Sequence, residues 1–300
     1  MNREMPNPMS IENVSDTARW VALYRAMETE RPDAIFRDPY ARKLAGKEGE
    51  AIVKSVKRGR GMAWAMITRT AAFDEIIRDA IHAGADSVIN LAAGLDTRPW
   101  RMDLPASLRW YDVDLPGILQ HKTDRLAGET PKCYYEAIHA DLTDATVRRQ
   151  LFARLGAAAT HALIVTEGLL VYLEPAEVGE LARQLSAQPS FERWVIDLGS
   201  PLLLEFMKRT WGKMLANAPF KFGPAEGSAF FGPFGWRELE FRSSMDEARR
   251  IHREMKGMWL WRIIGKLYSK ERQEKFRRMS VFVLLGNTQN AAASSAATRG

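Results

Sequence analysis

The sequence has few of the features that would place it outside ordinary globular proteins. Cys133 is its single cysteine, which excludes an internal disulfide framework. The N-terminal residues lack the apolar core of a signal peptide. The most apolar stretch, Leu163 to Leu173, contains Glu167 and is too short to span a bilayer. We therefore expect a cytoplasmic protein of 300 residues with one large α/β domain.

Positive charge is concentrated in one segment. The net charge is +6, but residues 249–278 contain eleven Lys or Arg and three Glu, so the remainder carries about −2. Basicity confined to one segment is weak evidence for a nucleic-acid partner, and none is expected. Methylation of nucleic acid stays open as an alternative, and it would predict strongly salt-dependent binding.

The same basic segment contains apolar residues at helical spacing. They predict a helix with one apolar face, at Leu260, Ile263, Ile264 and Leu267. Together with the neighbouring tryptophans, this face could touch an anionic membrane surface. Such a face more often packs on its own domain, so membrane contact is not expected.

The stretch from Ser87 to Asp114 combines a strand, a tight turn and a second strand. Apolar residues at 88–91 are followed by small residues ending in Gly94, and the second apolar run ends in acids. Gly94 and Asp114 lie 20 residues apart, the spacing between the glycine turn and the ribose-binding acid of a dinucleotide site. The turn lacks two of the three glycines that shelter a pyrophosphate. It therefore favours a nucleoside ligand such as S-adenosylmethionine. An ordinary turn with Asp112 and Asp114 merely solvated stays open.

Strands and helices alternate from residue 87 to residue 198, which predicts an α/β fold with a mainly parallel sheet covered on both faces. Ligands bind at the carboxyl ends of such strands. We expect Gly94, Asp114, Asp141 and Glu167 to gather there, because each follows a predicted strand. The expected domain covers residues 13–286, with a cap around 200–235. Residues 1–12 and 287–300 are predicted to be a flexible end and a disordered tail.

Four blocks resemble the leucine carboxyl methyltransferase family: NLAAGLDTRPWR, YDVDLPGILQHK, HADLTD and TEGLLVYLEPAEV. The resemblance begins near Ser15 and returns at FFGPFGW, residues 230–236. It is closest to a bacterial branch of S-adenosylmethionine-dependent O-methyltransferases that includes polyketide-tailoring enzymes. The resemblance implies a class I (Rossmann-like) methyltransferase fold with a seven-stranded sheet, N-terminal helices and a helical, aromatic cap.

The resemblance also implies roles for individual residues. Arg69 would contact the methionine carboxylate of the cofactor, with a surface arginine beside Asp74 as the alternative. Asp141 would accept the adenine amino group while the N–H of Leu142 reads a ring nitrogen. Without the family, a helix-capping role for Asp141 is as good an interpretation. Glu167 lies in an apolar setting and needs a partner, either the cofactor ammonium or a structural ion pair.

The expected reaction is methyl transfer to a carboxylate or hydroxyl of a small apolar or aromatic molecule. Aromatic residues from Phe220 to Trp236 could form a lid over this acceptor, or a small core of their own. No catalytic residue and no metal site is predicted, since the candidate histidines are suggested by location only: His121, His139 and His161. The alternatives are a nicotinamide-dependent oxidoreductase and a non-catalytic cofactor-binding module. The sequence indicates no oligomeric state.

Overall fold

A seven-stranded sheet forms the centre of the protein, seen in a computed structural model that describes residues 14–55, 59–211, 218–255, 257–258, 265 and 267–289. The strands are β1 Ser87–Leu91, β2 Arg109–Asp114, β3 Tyr134–His139, β4 Ala162–Thr166, β5 Phe191–Gly199, β6 Trp236–Ser243 and β7 Ser280–Asn287. Their order is β3-β2-β1-β4-β5-β7-β6. The first five strands pair in parallel, and β7 is antiparallel to both of its neighbours. The expected mainly parallel, seven-stranded sheet is confirmed.

The central strands are buried on both faces. All five residues of β1 and all five of β4 are buried. Val88 contributes to one apolar core and its neighbour Ile89 to another, because successive side chains of a strand point to opposite faces. A parallel sheet covered on both sides requires such unbroken apolar strands, and the short apolar runs of the sequence supply them.

Ten helices surround the sheet within the described ranges. They are α1 Val14–Thr29, α2 Ala41–Ser55, α3 Gly59–His82, α4 Arg98–Arg101, α5 Pro116–Arg125, α6 Ala145–Ala158, α7 Pro175–Ser186, α8 Pro201–Trp211, α9 Ser244–Arg250 and α10 Lys270–Arg277. Two 3₁₀ segments cover Leu170–Tyr172 and Gly227–Phe234. No helix in the described part of the chain has the length and apolar character needed to cross a bilayer.

One predicted boundary differs from the observed one. Helix α1 begins at Val14, next to the expected start of the domain at residue 13. The last strand continues through Asn287, one residue beyond the expected end of the domain, because the Asn287 Nδ2 donates to the carbonyls of Ser186 and Phe191 at 3.0 and 3.1 Å. The apolar helix face expected around residues 260–267 lies largely outside the described residues, as do residues 1–12 and 290–300.

Most aromatic side chains between Phe220 and Trp236 belong to the main core. Phe222, Phe231 and Trp236 are buried, and Phe230 and Phe234 pack against them. The Trp236 indole also donates to the carbonyl of Ala182 at 2.9 Å. These five residues therefore pack with the main core of the sheet and do not form a small core of their own.

Candidate active site

The turn after β1 and the acid that ends β2 meet as predicted. Gly94 has φ +53°, and its N–H donates to Asp114 Oδ2 at 2.7 Å. The N–H of Leu115 donates to the other oxygen at 2.7 Å. Burial raises the pKa of the Asp114 carboxyl, although these two backbone donors oppose the change. Asp114 is therefore built into the turn and is not merely solvated.

Asp112 has a different place, in the core. Its side chain and that of Lys122 are fully buried and form an ion pair. The carboxylate also accepts the Trp110 indole N–H at 2.8 Å and the Tyr135 hydroxyl at 3.0 Å. The alternative of a solvated Asp112 is wrong, because these three side chains satisfy its charge inside the protein.

A cavity of about 210 Å³ opens at the carboxyl edge of the sheet. It is lined by four of the six predicted cofactor-binding residues, and these are Arg69, Gly94, Asp114 and Glu167. The four come from α3, from the last residue of β2 and from the segments that follow β1 and β4. The geometry brings together residues that are far apart in the sequence, which is the arrangement that we expected of a shared site.

The other two predicted residues, Asp141 and Leu142, lie after β3 and are not among the residues that line the cavity. The N–H of Ala140 donates to the carbonyl of Asp114 at 3.0 Å, so this segment begins beside the site. Asp141 accepts from the N–H and hydroxyl of Thr143, both at 2.8 Å, which lowers the pKa of its carboxyl. The cap of α6 is Asp144 and not Asp141, so the capping alternative is wrong.

Arg69 and Glu167 form an ion pair inside the cavity. Nε of Arg69 lies 3.1 Å from Oε1 of Glu167, and NH1 lies 3.0 Å from Oδ2 of Asp197. Burial alone would lower the pKa of the Arg69 guanidinium, but the two carboxylates outweigh it and raise that pKa. A surface Arg69 beside Asp74 is excluded, because Asp74 instead pairs with Arg98 and Arg101.

Arg98, which is not among the predicted site residues, links three acids at this edge. Its guanidinium lies 2.7 Å from Asp74, 2.6 Å from Asp96 and 2.9 Å from Glu167, and only 3% of its side chain is exposed. The sequence signal that could have indicated Arg98 is the oppositely charged pair Asp96 and Arg98, two residues apart directly after the glycine turn. Buried charges must be paired, so such a pair indicates an ion network.

Asp38, in the Asp-Pro-Tyr sequence at residues 38–40, stabilises the turn after β1 through Thr97. Asp38 is 1% exposed, and its Oδ2 accepts the Thr97 hydroxyl at 2.7 Å and Nε of Arg25 at 2.8 Å. Asp38 therefore has a structural role in this turn.

One wall of the cavity is apolar. Its side chains come from α1, α3, the first 3₁₀ segment, α8 and the residues after α8, and they include Trp20, Val21, Met66, Val171, Tyr172, Met207 and Phe220. The rings of Tyr172 and Phe220 meet edge to face at 5.4 Å, and the N–H of Lys221 donates to the Val171 carbonyl at 2.7 Å. The structure describes all of residues 220–236. Among the aromatic side chains of this range, Phe220 alone lines the cavity.

The histidines lie elsewhere. None of those in the described residues lines the cavity. His121 Nε2 lies 3.1 Å from the carbonyl of Leu44, and His161 pairs with Glu192 just before β4, at the opposite edge of the sheet. The described residues also contain no group of histidine, cysteine and acidic side chains that could hold a metal ion.

Comparison with known proteins identifies the family. The family model "Leucine carboxyl methyltransferase" matches residues 18–186. A protein of Parafrankia sp., named "Putative S-adenosyl-L-methionine-dependent methyltransferase", is 35% identical over 256 residues, which cover 77% of this chain and 79% of the relative. The chain belongs to the leucine carboxyl methyltransferase family. A relative of the same name from Streptomyces coelicolor is 33% identical over 63% of this chain and 70% of its own length.

Solved structures share the fold. A DUF574 family protein from Streptomyces avermitilis matches with a TM-score of 0.55 at 13% identity, over 90% of this chain and 97% of its own. A protein from Thermobifida fusca, titled a putative methyltransferase, matches with a TM-score of 0.54 at 16% identity, over 94% and 96%.

Family membership makes the chain an S-adenosylmethionine-dependent methyltransferase, with S-adenosylmethionine as its cofactor. It decides against the nicotinamide-dependent oxidoreductase and against a binding module without activity.

Proposed function

We propose that the protein is an O-methyltransferase that acts on a carboxylate or hydroxyl of a small apolar or aromatic molecule. The division of the cavity carries this proposal. Charged residues of the lining, Arg69 and Glu167 among them, meet at the strand ends, while most of its aliphatic and aromatic side chains come from helices and from Phe220. A charged half suits the cofactor, and an apolar half suits an acceptor with little charge beyond its reacting oxygen.

The charged half fits the two ends of the cofactor. Arg69 would hold the methionine carboxylate, because a guanidinium fork matches a carboxylate, and Glu167 would accept the ammonium. Asp114 would accept hydrogen bonds from the ribose hydroxyls, with the Gly94 turn beside it. Asp141 and the N–H of Leu142 would read the adenine. When bound, S-adenosylmethionine supplies an electrophilic methyl group, and the protein mostly aligns the acceptor oxygen with it.

The apolar wall offers no ready base. Burial raises the pKa of the Tyr172 hydroxyl, and no histidine of the described residues lies in the wall. An oxygen that is already ionised at neutral pH needs no base, whereas an alcohol would gain from one. This supports a carboxylate, or an acidic phenol, over an aliphatic alcohol.

Of the cap that we expected around residues 200–235, we propose only the part that contains Met207, Phe220 and the residues directly after Phe220. Met207 and Phe220 reach the cavity, and backbone hydrogen bonds join the residues after Phe220 to the first 3₁₀ segment. We propose that these residues close the acceptor side, within a domain that begins near residue 13 and continues through Asn287.

Methyl transfer to matched acceptor pairs tests the proposal. The purified protein is incubated with S-adenosylmethionine and an aromatic or branched aliphatic carboxylic acid, or with the alcohol of the same skeleton. Mass spectrometry identifies the product. The methyl ester should form from the acid at neutral pH, and the alcohol should react more slowly, gaining as the pH rises. Methylation on nitrogen or sulfur alone would contradict the proposal, as would folded protein that does not bind S-adenosylhomocysteine at millimolar concentration.

A further inference from the structure

Asp197 connects two parts of the site although it is not among the residues that line the cavity. It lies near the carboxyl end of β5. Its Oδ2 accepts NH1 of Arg69 at 3.0 Å, and its Oδ1 accepts the N–H of Gly168 at 2.8 Å. One carboxylate therefore fixes the α3 arginine and the backbone directly after Glu167.

Gly168 allows the close approach on which this arrangement depends. Its φ is +72°, a conformation that side chains other than glycine rarely adopt. A Cβ at this position would lie 3.0 Å from NH1 of Arg69. The guanidinium is therefore seated directly against the turn that carries Glu167, and Asp197 holds both from the side.

The two acids around Arg69 differ in what they can do when a ligand is present. Glu167 lines the cavity and can turn towards an ammonium, whereas Asp197 stands outside the lining. The Arg69 side chain is only 13% exposed, so its charge needs a carboxylate partner at all times. Asp197 can stay with Arg69 while Glu167 is shared with the ligand.

We propose that Asp197 is a positioning residue for the amino-acid end of the cofactor. It orients Arg69 and the Glu167-Gly168 turn without contacting the cofactor. The inference rests on the proposed roles of Arg69 and Glu167. It goes beyond them by placing a third acid, on β5, in the same recognition unit.

The test is the change Asp197→Asn, with calorimetry of two ligands on the full-length protein. An amide accepts at only one of its two ends, so asparagine cannot serve both Arg69 and Gly168. S-Adenosylhomocysteine carries the amino-acid end, and 5′-methylthioadenosine has the same adenosine and sulfur without it. We expect D197N to bind S-adenosylhomocysteine about tenfold more weakly, as loss of one charge-assisted bond implies. Binding of 5′-methylthioadenosine should stay within about twofold, which is a tolerance well below that tenfold effect.

Asp86 provides the matched control. Its carboxylate also has one arginine, Arg109, and backbone N–H donors, those of Thr160 and His161, but it lies just before β1 at the opposite edge of the sheet. D86N should leave the affinity for both ligands unchanged. If D197N weakens the binding of both ligands equally, Asp197 has a purely structural role. Unchanged or tighter binding of S-adenosylhomocysteine would show that Asp197 only competes for Arg69. Either result overturns the inference.

The change Arg69→Met separates this inference from the proposed function. If R69M reduces the preference for S-adenosylhomocysteine and D197N does not, only the role of Asp197 is wrong. If R69M also leaves the preference unchanged, the assignment of Arg69 to the carboxylate fails, and the inference fails with it.

Discussion

Asp112 and Asp114 stand two residues apart on β2, and their surroundings give them opposite roles. Asp112 is fully buried with Lys122 and holds core elements together. Asp114 ends the strand beside the cavity, and burial raises the pKa of its carboxyl. A carboxyl whose ionisation is opposed by burial is a candidate for binding rather than for stability.

Changing Asp114 to asparagine should weaken binding, with a smaller loss of stability than the same change at Asp112. We expect D114N to bind S-adenosylhomocysteine about 1–3 kcal/mol more weakly, because a charged acceptor is lost. Its free energy of unfolding at neutral pH should fall by about 0.5–1.5 kcal/mol, because an amide accepts from only one of the Gly94 and Leu115 N–H groups. Calorimetry and urea unfolding measure the two quantities. D112N, the control on the same strand, should instead lose about 3–5 kcal/mol of stability, because it leaves Lys122 buried without its partner.

The same residue predicts a pH dependence. The folded-state pKa of Asp114 lies above its ordinary value of 3.8, so ionisation costs stability at pH values above the folded pKa. The cost is absent below the ordinary value. The stability of the wild type relative to D114N should therefore fall as the pH rises through this window. A difference that is constant with pH, measured by unfolding of both proteins across the acidic range, would contradict the raised pKa.

At the scale of elements, the segment that joins β4 to the first 3₁₀ helix is tightly constrained at Gly168. Gly168 has positive φ and lies against Arg69, whereas Gly128 has φ +88° with nothing within 4 Å of a Cβ. The change Gly168→Ala should cost more stability than Gly128→Ala, for which backbone strain of about 1–2 kcal/mol is expected. Only G168A should also weaken the binding of S-adenosylhomocysteine, because the added Cβ displaces the Arg69 guanidinium. Similar effects of both changes on binding would argue against that contact.

The elements themselves could largely be predicted from the sequence, because the strands are short apolar runs bounded by glycine and acids. Val88 to Leu91 is one such run, and it became β1. The partners of the charged residues could not be predicted in this way. Arg69 pairs with Glu167 and Asp197, which follow it by 98 and 128 residues. No periodicity connects positions so far apart, and only the order of the strands brings them to one edge.

At the scale of the whole molecule, the basic segment at residues 249–278 carries charge that is largely compensated where the structure describes it. Arg250 pairs with Glu75 and Glu247, Arg253 with Glu28, and Arg277 with Asp246. Arginines held by internal carboxylates are poorly placed to neutralise phosphates. The high net charge is thus weak evidence for a nucleic-acid partner.

We accordingly expect no specific binding of RNA or DNA. In a fluorescence anisotropy titration with a labelled duplex and a labelled single strand, any affinity should be weaker than about 1 μM at physiological salt, within the range of non-specific binding. Tight binding that falls steeply with added salt would reverse this expectation. It would also reopen nucleic-acid methylation as a function.

The two halves of the cavity have separate structural origins. The charged half is built largely from strand ends, whose positions are fixed by the sheet, while much of the apolar wall comes from α1, α8 and Phe220, which lie outside it. Mutations in that wall can accumulate without disturbing the sheet. Under the roles proposed above, relatives can diverge in acceptor preference while keeping one cofactor pocket, and exchanging these segments between relatives should change the acceptor that is methylated.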